Sequence, residues 1–274
     1  MSLFNVNPDT CNRDGLCVDE CPVKIIMLAD KKSLPVPVPG AEDLCVDCGH
    51  CVAVCPTGAL SHRSMTPEQC LPVKENLLLD ADQAEHFLRY RRSIRTYRKK
   101  PVEKDILSRL VGIASYAPSG HNVQPVCWRV VHDRDEVRRL TGLVVDWMRF
   151  LLQDNADFAK QMHMDMVVAG WDMGIDSVCR DVPHLIIAHG LQADPMAQSS
   201  CTIALTYLDL AAPSLGLGTC WAGFFHAATM LWPPLQEALN LPDGHACMGA
   251  MMVGYPKYKY KRMPVRNMPR ITWV

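Results

Sequence analysis

Two stretches of this 274-residue chain place cysteines at spacings that can wrap an inorganic cluster. The first reads CNRDGLCVDECP and the second CVDCGHCVAVCP. Overlaid, Cys11, Cys17, Cys21 and Pro22 match Cys45, Cys51, Cys55 and Pro56, while Asp14 stands opposite Cys48. The second copy is a full C-x2-C-x2-C-x3-C-P run. In that run three close thiolates wrap one cubane and the fourth reaches across to the other cluster. Crossed in this way, Cys45, Cys48, Cys51 and Cys21 hold one [4Fe–4S] cluster. Cys11, Asp14, Cys17 and Cys55 surround a second, of [4Fe–4S] or [3Fe–4S] type. A structural zinc site is the rival for paired CxxC units, but the complete run and its imperfect copy favour iron and sulfide. Asp14 has three readings: a hard oxygen ligand that leaves one iron labile, a neighbour of an open three-iron site, or a turn aspartate before Gly15.

The prolines after each copy turn the chain away, and Gly15 and Gly49 let backbone pass close to sulfide. Between the copies, KKSLPVPVPGAEDL reads as an extended loop. The charge is divided. Residues 1–80 carry eleven acids and six bases, a balance of −5; the rest carry eighteen acids and twenty-two bases, a balance of +4. Two units with different tasks follow from this split, one over 1–75 and one over 80–274, with a polar linker near 64–78. The net charge of −1 argues against general nucleic-acid binding. No targeting segment or membrane span is expected, and thirteen cysteines point to a reducing, cytoplasmic compartment.

In the second part, DADQAEHFLRYRRS starts a helix, with Asp82 as its N-cap and Glu85 three residues on. PVEKDILSRLVGIAS is a second helix, with Ile106, Leu107, Leu110, Val111 and Ala114 on one face. PVCWRVVHD, HLIIAHG and GAMMVGYP read as strands, and DEVRRLTGLVVDWMRFLLQ as an amphipathic helix. SSCTIALTYLDLAAPSLGLG is nearly all apolar, so it is expected to be buried all round, at the core of a dimer. Strands and helices mix without a βαβ rhythm, which suggests an α+β fold.

Three stretches could bind phosphate or a planar ligand: RRSIRTYRKK, with six bases in ten residues, APSGHNVQP, and GYPKYKYKRMPVR. Arginine offers phosphate bidentate hydrogen bonds, although any one stretch alone could be a solvated face. There is no Walker loop, and no G-x-G-x-x-G follows a strand.

The cysteine run resembles the two-cluster bacterial-type ferredoxins over about residues 5–75. That resemblance implies a small β-rich fold and an electron-carrying role. From residue 82 on, RRSIRTY, APSGHNVQP, GLGTCWAGFF and GYPKYKYKRMPVR, in that order, resemble the nitroreductase family of FMN enzymes. That implies a three-layer α/β/α homodimer with FMN at the interface. Matched by motif, Arg91, Arg92, Ser93 and Arg95 contact the FMN phosphate, ribityl chain and ring edge. Pro118, Ser119, Gly120 and Asn122 meet the flavin from the partner subunit. Ala222 and Gly223 offer backbone groups near flavin N5. Arg266, with Arg262 and Lys261 less surely placed, closes on the phosphate. Ser119 and Gly120 could also simply make a turn, Trp221 reads as a packed aromatic, and Cys220 lacks a partner that would activate a thiol. His121, His163 and His226 read as structural, and Asp172, Asp176 and Arg180 are left unassigned.

No side chain is expected to be catalytic, because FMN does the chemistry. The resemblance implies an oxidoreductase passing electrons among clusters, FMN and a small acceptor such as a nitroaromatic, quinone or unsaturated ring. The donor is NAD(P)H or an external electron-donor protein. Rival readings are a non-enzymatic redox sensor or electron carrier, and a reductive dehalogenase or flavin-modifying enzyme on the same scaffold.

Overall fold

A computed structural model describes residues 2–274. The chain divides into two compact units. One runs to Leu78 and takes in His121–Val123; the other comprises Leu79–Gly120 and Gln124–Val274.

The first unit is built on a backbone repeat. Strand β1 (Phe4–Val6) leads to the short helix α1 (Leu16–Asp19), and β2 (Ile26–Met27) pairs antiparallel with β3 (Val36–Pro37). Helices α2 (Ala41–Leu44) and α3 (His50–Ala53) follow, and β4 (Leu60–His62) closes the unit antiparallel to β1. Left-handed residues recur at one constant offset: Arg13 with Asp47, Gly15 with Gly49, and Lys24 with Gly58. Gly15 (φ 79°) and Gly49 (φ 74°) each enter a one-turn helix, a conformation costly for any residue with a Cβ. The core is small: Leu3, Phe4, Ile25, Ile26, Ala41, Val52 and Leu60, with Cys17 and Cys21 buried among them.

The second unit opens with α4 (Ala81–Tyr90). Its N-cap is Asp80, whose carboxylate accepts from Gln83 N while the Gln83 side chain reaches back to Asp80 N. Sequence reading put the cap two residues later, at Asp82. Asp80 wins because Gln83 completes a capping box with it. After α5 (Lys104–Ala114) come β5 (Cys127–Val131), α6 (Arg134–Asp154), α7 (Ala156–Gln161), α8 (Met164–Asp172), β6 (His184–Leu191) and α9 (Ala197–Ala211). Then follow β7 (Gly218–Trp221), α10 (Gly223–Leu231), α11 (Pro233–Leu239) and β8 (His245–Gly254). The sheet order is β5-β6-β8-β7, antiparallel throughout.

One face of the sheet buries Leu185, Ile187, Ala250 and Met252 against α6, α8, α10 and α11, around Phe225 and Met148. The other buries Ile186, Met251 and Val253 against α5 and α9, around Leu110, Leu205 and Leu208. This is the expected three-layer α/β/α arrangement. Within the single chain, α9 departs from the sequence expectation. Cys201, Ala204, Leu205 and Leu208 are buried, but Ile203 and Tyr207 on the opposite side are exposed. The outer side of the helix mixes these two with the polar Gln198, Thr202 and Thr206, and the chain covers only the inner side.

Residues 93–98 run beside β7. Ser93 bridges Thr219 in parallel, Ile94 N donates to Thr219 O (2.8 Å), and Tyr97 bridges Pro256. The fit leaves no room at Gly218: an added Cβ would lie 2.9 Å from Ile94 Cβ and 2.5 Å from Ile94 Cγ1. Gly218→Ala should therefore cost about 1–3 kcal/mol through overpacking. Gly112→Ala, in open space on α5, should stabilise by about 0.5–1 kcal/mol. Denaturant unfolding of the two variants measures both values, and equal midpoints would show that Ile94 does not press on β7.

Candidate functional site

In the first unit the two crossed cysteine sets line two separate cavities. One is lined by Cys21, Cys45, Cys48 and Cys51, beneath Phe4 and His62. The other is lined by Cys11, Asp14, Cys17 and Cys55, with Arg13 beside them. Each cavity therefore takes three positions from one copy of the repeat and its last cysteine from the other. This donor chemistry fits two iron–sulfur clusters. Burial pushes the Cys17, Cys45 and Cys51 thiols up, Cys51 to about 11. Burial also raises Cys55, but hydrogen bonds from Thr57 and from backbone N–H groups at 57, 59 and 60 bring it below the ordinary value. A cluster therefore displaces protons as it binds.

Asp14 lines its cavity, and its Oδ1 also accepts from Leu16 N (3.2 Å) at the start of α1. The turn role and the cavity position coexist. Beside the other cavity, His62 Nε2 lies 3.4 Å from Cys45 Sγ, and its Nδ1 meets Ser64 Oγ at 2.8 Å.

In the second unit, the N-terminal basic segment is fixed by one buried carboxylate. Asp209, on α9 and only 4% exposed, accepts from Arg91 Nη1 (3.2 Å) and from the Thr219 hydroxyl. Asp209 is the one charged residue in the run SSCTIALTYLDLAAPSLGLG. A lone acid on a buried helix face was the available signal, because such a charge requires partners. Arg91 and Arg92 line one cavity with Arg266 and Asn267. Arg92 Nε is buried there without a hydrogen-bond partner, while its Nη2 donates to Arg89 O (2.9 Å). Four arginines, Arg89 with these three, line the opening, and one of them carries an unsatisfied buried N–H, which suits a phosphate. Arg262 does not line this cavity.

The other candidates lie apart. Pro118 and Ser119 line a different cavity, between β5 and α9, with Trp128 and Ser200. Ser119 Oγ accepts from Gln124 N (2.9 Å), which is the turn role. An added Cβ at Gly120 would meet Met196 Sδ at 2.9 Å. His121, Asn122 and Gln124 all have positive φ, an unusual density of left-handed non-glycine residues. The Ala222 N–H is already donated to Ala250 O (2.9 Å), so it is not free for a ligand. Gly223 opens α10, in the turn whose N–H groups lack intrahelical acceptors. Trp221 lies over Gly249, within 3.2 Å of where a Cβ would stand. Cys220 is buried, which pushes its thiol up against the opposing charges of Arg95 and Arg180. This disfavours a nucleophile.

Known proteins agree with both halves. Residues 88–255 match the nitroreductase family model, and residues 9–60 match the 4Fe-4S dicluster domain. The chain belongs to the nitroreductase family and carries an N-terminal 4Fe-4S dicluster domain. It is 26% identical over 204 residues to a 5,6-dimethylbenzimidazole synthase of Rhodospirillum rubrum, covering 70% of this chain and 89% of that protein. It is 35% identical over 69 residues to "Ferredoxin 7Fe" of Hydrogenibacillus schlegelii, covering 25% of this chain and 82% of the ferredoxin. A nitroreductase of Bacteroides fragilis, solved with bound FMN, shares the fold at a TM-score of 0.59 and 22% identity. That match covers 70% of this chain and 98% of the other. No helix among the described residues is long and apolar enough to cross a membrane.

Asp209→Ala would leave the Arg91 charge and the Thr219 hydroxyl without their shared acceptor. It should cost about 3–5 kcal/mol, the range for breaking a buried pair. Asp209→Asn, which keeps an acceptor oxygen, should cost distinctly less. Urea unfolding of both variants tests this, and a loss under about 1 kcal/mol for the alanine variant would contradict the anchoring role.

Proposed function

We propose that this chain is an FMN-dependent oxidoreductase in which two iron–sulfur clusters exchange electrons with a flavin that serves a small organic acceptor. The observation that carries this reading is the pairing, in one polypeptide, of two crossed cysteine cavities with an arginine-lined cavity on a nitroreductase fold. FMN, when bound, supplies the exchange between single electrons and a two-electron step. The chain's residues bind and orient it. Arg91, Arg92 and Arg266 take the phosphate, and Ser93 and Arg95 the ribityl chain and ring edge. Gly223 contributes an N–H near N5. Pro118, Ser119, Gly120 and Asn122 act from a second copy in a homodimer. Arg262, which lies outside the arginine-lined cavity, and Ala222, whose N–H is held by Ala250 O, belong to the same reading. Arg95 also favours negative charge on the reduced ring. Electrons come from NAD(P)H or a reduced partner protein, and the acceptor is a nitroaromatic, quinone or unsaturated ring. The match to a synthase of 5,6-dimethylbenzimidazole keeps a flavin-modifying reaction as the second reading.

Anaerobic stopped-flow spectroscopy of the reconstituted chain tests the proposal. A donor should bleach both flavin and cluster absorbance, and a nitroaromatic or quinone should restore them. Reduction of the clusters without turnover of any acceptor would instead mark a sensor, and release of the benzimidazole would mark the second reading. Arg266→Ala should weaken FMN binding roughly ten- to hundredfold, the effect of one charge-assisted hydrogen bond. An unchanged affinity would remove Arg266 from the phosphate site.

For the first unit, we propose that Asp14 leaves its cluster one thiolate short, so that one iron is absent or easily lost. Asp14→Cys completes the ligand set and should raise tightly held iron by about one per chain. It should also remove any three-iron electron paramagnetic resonance signal of the oxidised protein. Equal iron and equal spectra in the two proteins would show that position 14 supplies no ligand.

A further inference from the structure

At one end of the central sheet, three strands bring together side chains that the flavin and the clusters do not use. Cys127 is the first residue of β5 and pairs directly with His189 on β6. His189 pairs with Cys247 on β8, and His245 lies two residues further along β8, opposite Leu191. Paired residues, and residues two apart on a strand, share a sheet face. Cys127, His189 and His245 therefore project from the face that carries α6, α10 and α11. A register shift between Ala188 and His189 puts an extra residue into β8 here. Such bulges re-aim side chains.

The Cys127 Sγ and one nitrogen from each histidine lie within 4.8 Å of one another. The two Nδ1 atoms are 3.0 Å apart. Tetrahedral zinc bound to two imidazoles and a thiolate separates its ligand atoms by about 3.3–3.8 Å, given bonds of about 2.0 and 2.3 Å. The cluster reaches that spacing with shifts of a few tenths of an ångström to about 1 Å. His189 is 6% exposed and Cys127 is exposed, so the trio runs from the interior to the surface. A groove lined by Gln192, Thr229, Gln236, Glu237, Asn240 and His245 opens beside it.

We propose that Cys127, His189 and His245 form a binding site for a divalent ion of the zinc class, tying β5, β6 and β8 together at this end of the sheet. Two imidazoles and one thiolate are borderline-soft donors that select zinc-type ions over magnesium or calcium. Binding releases the Cys127 thiol proton to solvent, and both imidazoles must be neutral. Burial, with the nearby His245 and Arg129, holds His189 below the ordinary histidine range. Arg129 lies on the same face, and its Nη1 donates to Asn240 O (3.3 Å). The exposed thiol leaves the fourth coordination position to water.

The test uses the anaerobic, cluster-loaded full chain. Alkylation of Cys127 by iodoacetamide is followed by peptide mass spectrometry, which separates this thiol from the cluster cysteines. Stoichiometric Zn2+ should slow modification of Cys127 at least about tenfold, and Mg2+ should not. In His245→Gln, and separately in His189→Gln, the protection should be lost. X-ray absorption at the zinc edge, where iron is silent, should show one sulfur and two nitrogen neighbours. Equal alkylation of the native chain with and without Zn2+, protection that survives both substitutions, or a zinc shell without sulfur would each overturn the site. The histidine pair would then be a hydrogen bond only. If one glutamine variant fails to fold, the native-chain alkylation and the absorption spectrum still decide.

Discussion

The second unit depends on one buried carboxylate. Asp209 is on the sheet-facing side of α9, where its neighbours are alanine and leucine. An uncompensated charge there would cost several kcal/mol. The Arg91 guanidinium and the Thr219 hydroxyl compensate it from two different elements. With Arg91 held, the chain leaving α4 has one course. Ile94 N meets Thr219 O, Arg98 N meets Tyr255 O, and Lys257 N meets Thr96 O. The basic segment thus lies alongside β7 and the chain that follows β8, and Arg92 is carried to the mouth of a cavity that Arg266 also lines. A structural ion pair in the core sets where the arginines of this cavity stand.

The first unit solves a different problem. Its apolar core is limited to a handful of side chains, and two of the cysteines share that core. Domains of this size seldom bury enough apolar surface to fold on that alone, and metal ligation is a common supplement. The repeated left-handed residues at 13 and 47, 15 and 49, and 24 and 58 make the chain pass each cavity in the same way twice. The cysteine that ends each copy lies beyond the cavity formed by its own copy and lines the other. The crossing joins the halves, because neither cavity is complete without both.

What was legible in the sequence follows from the range of the interactions. The cysteine repeat is a local pattern whose spacing is set by bond lengths to a cluster, so the crossed sets could be read residue by residue. Strand β5 announced itself by alternation and β6 as an apolar run, and α5 and α6 by helical spacing. Strand β8 begins earlier than its apolar core, at His245, because pairing with β6 outweighs the weak strand propensity of His and Gly. Strand β7 is four residues with two small ones, too short for periodicity to register. The cap of α4 was misplaced because Asp80 and Asp82 both suit the position and only the reach of Gln83 decides between them. Asp209 was visible as a residue but not as an anchor, since its partners lie 118 and 10 positions away.

The residues assigned to the flavin do not converge within one chain, and the reason is physical. Arg91, Arg92 and Arg266 line one cavity, Pro118 and Ser119 line another, and Gly223 heads a helix on the opposite layer from α9. In the proposed function a second copy brings the 118–122 loop to the arginines. Ile203 and Tyr207 are exposed on the outer side of α9, beside Gln198, Thr202 and Thr206. The positive-φ residues His121, Asn122 and Gln124 hold that loop in a fixed shape, so its groups are set before any ligand arrives.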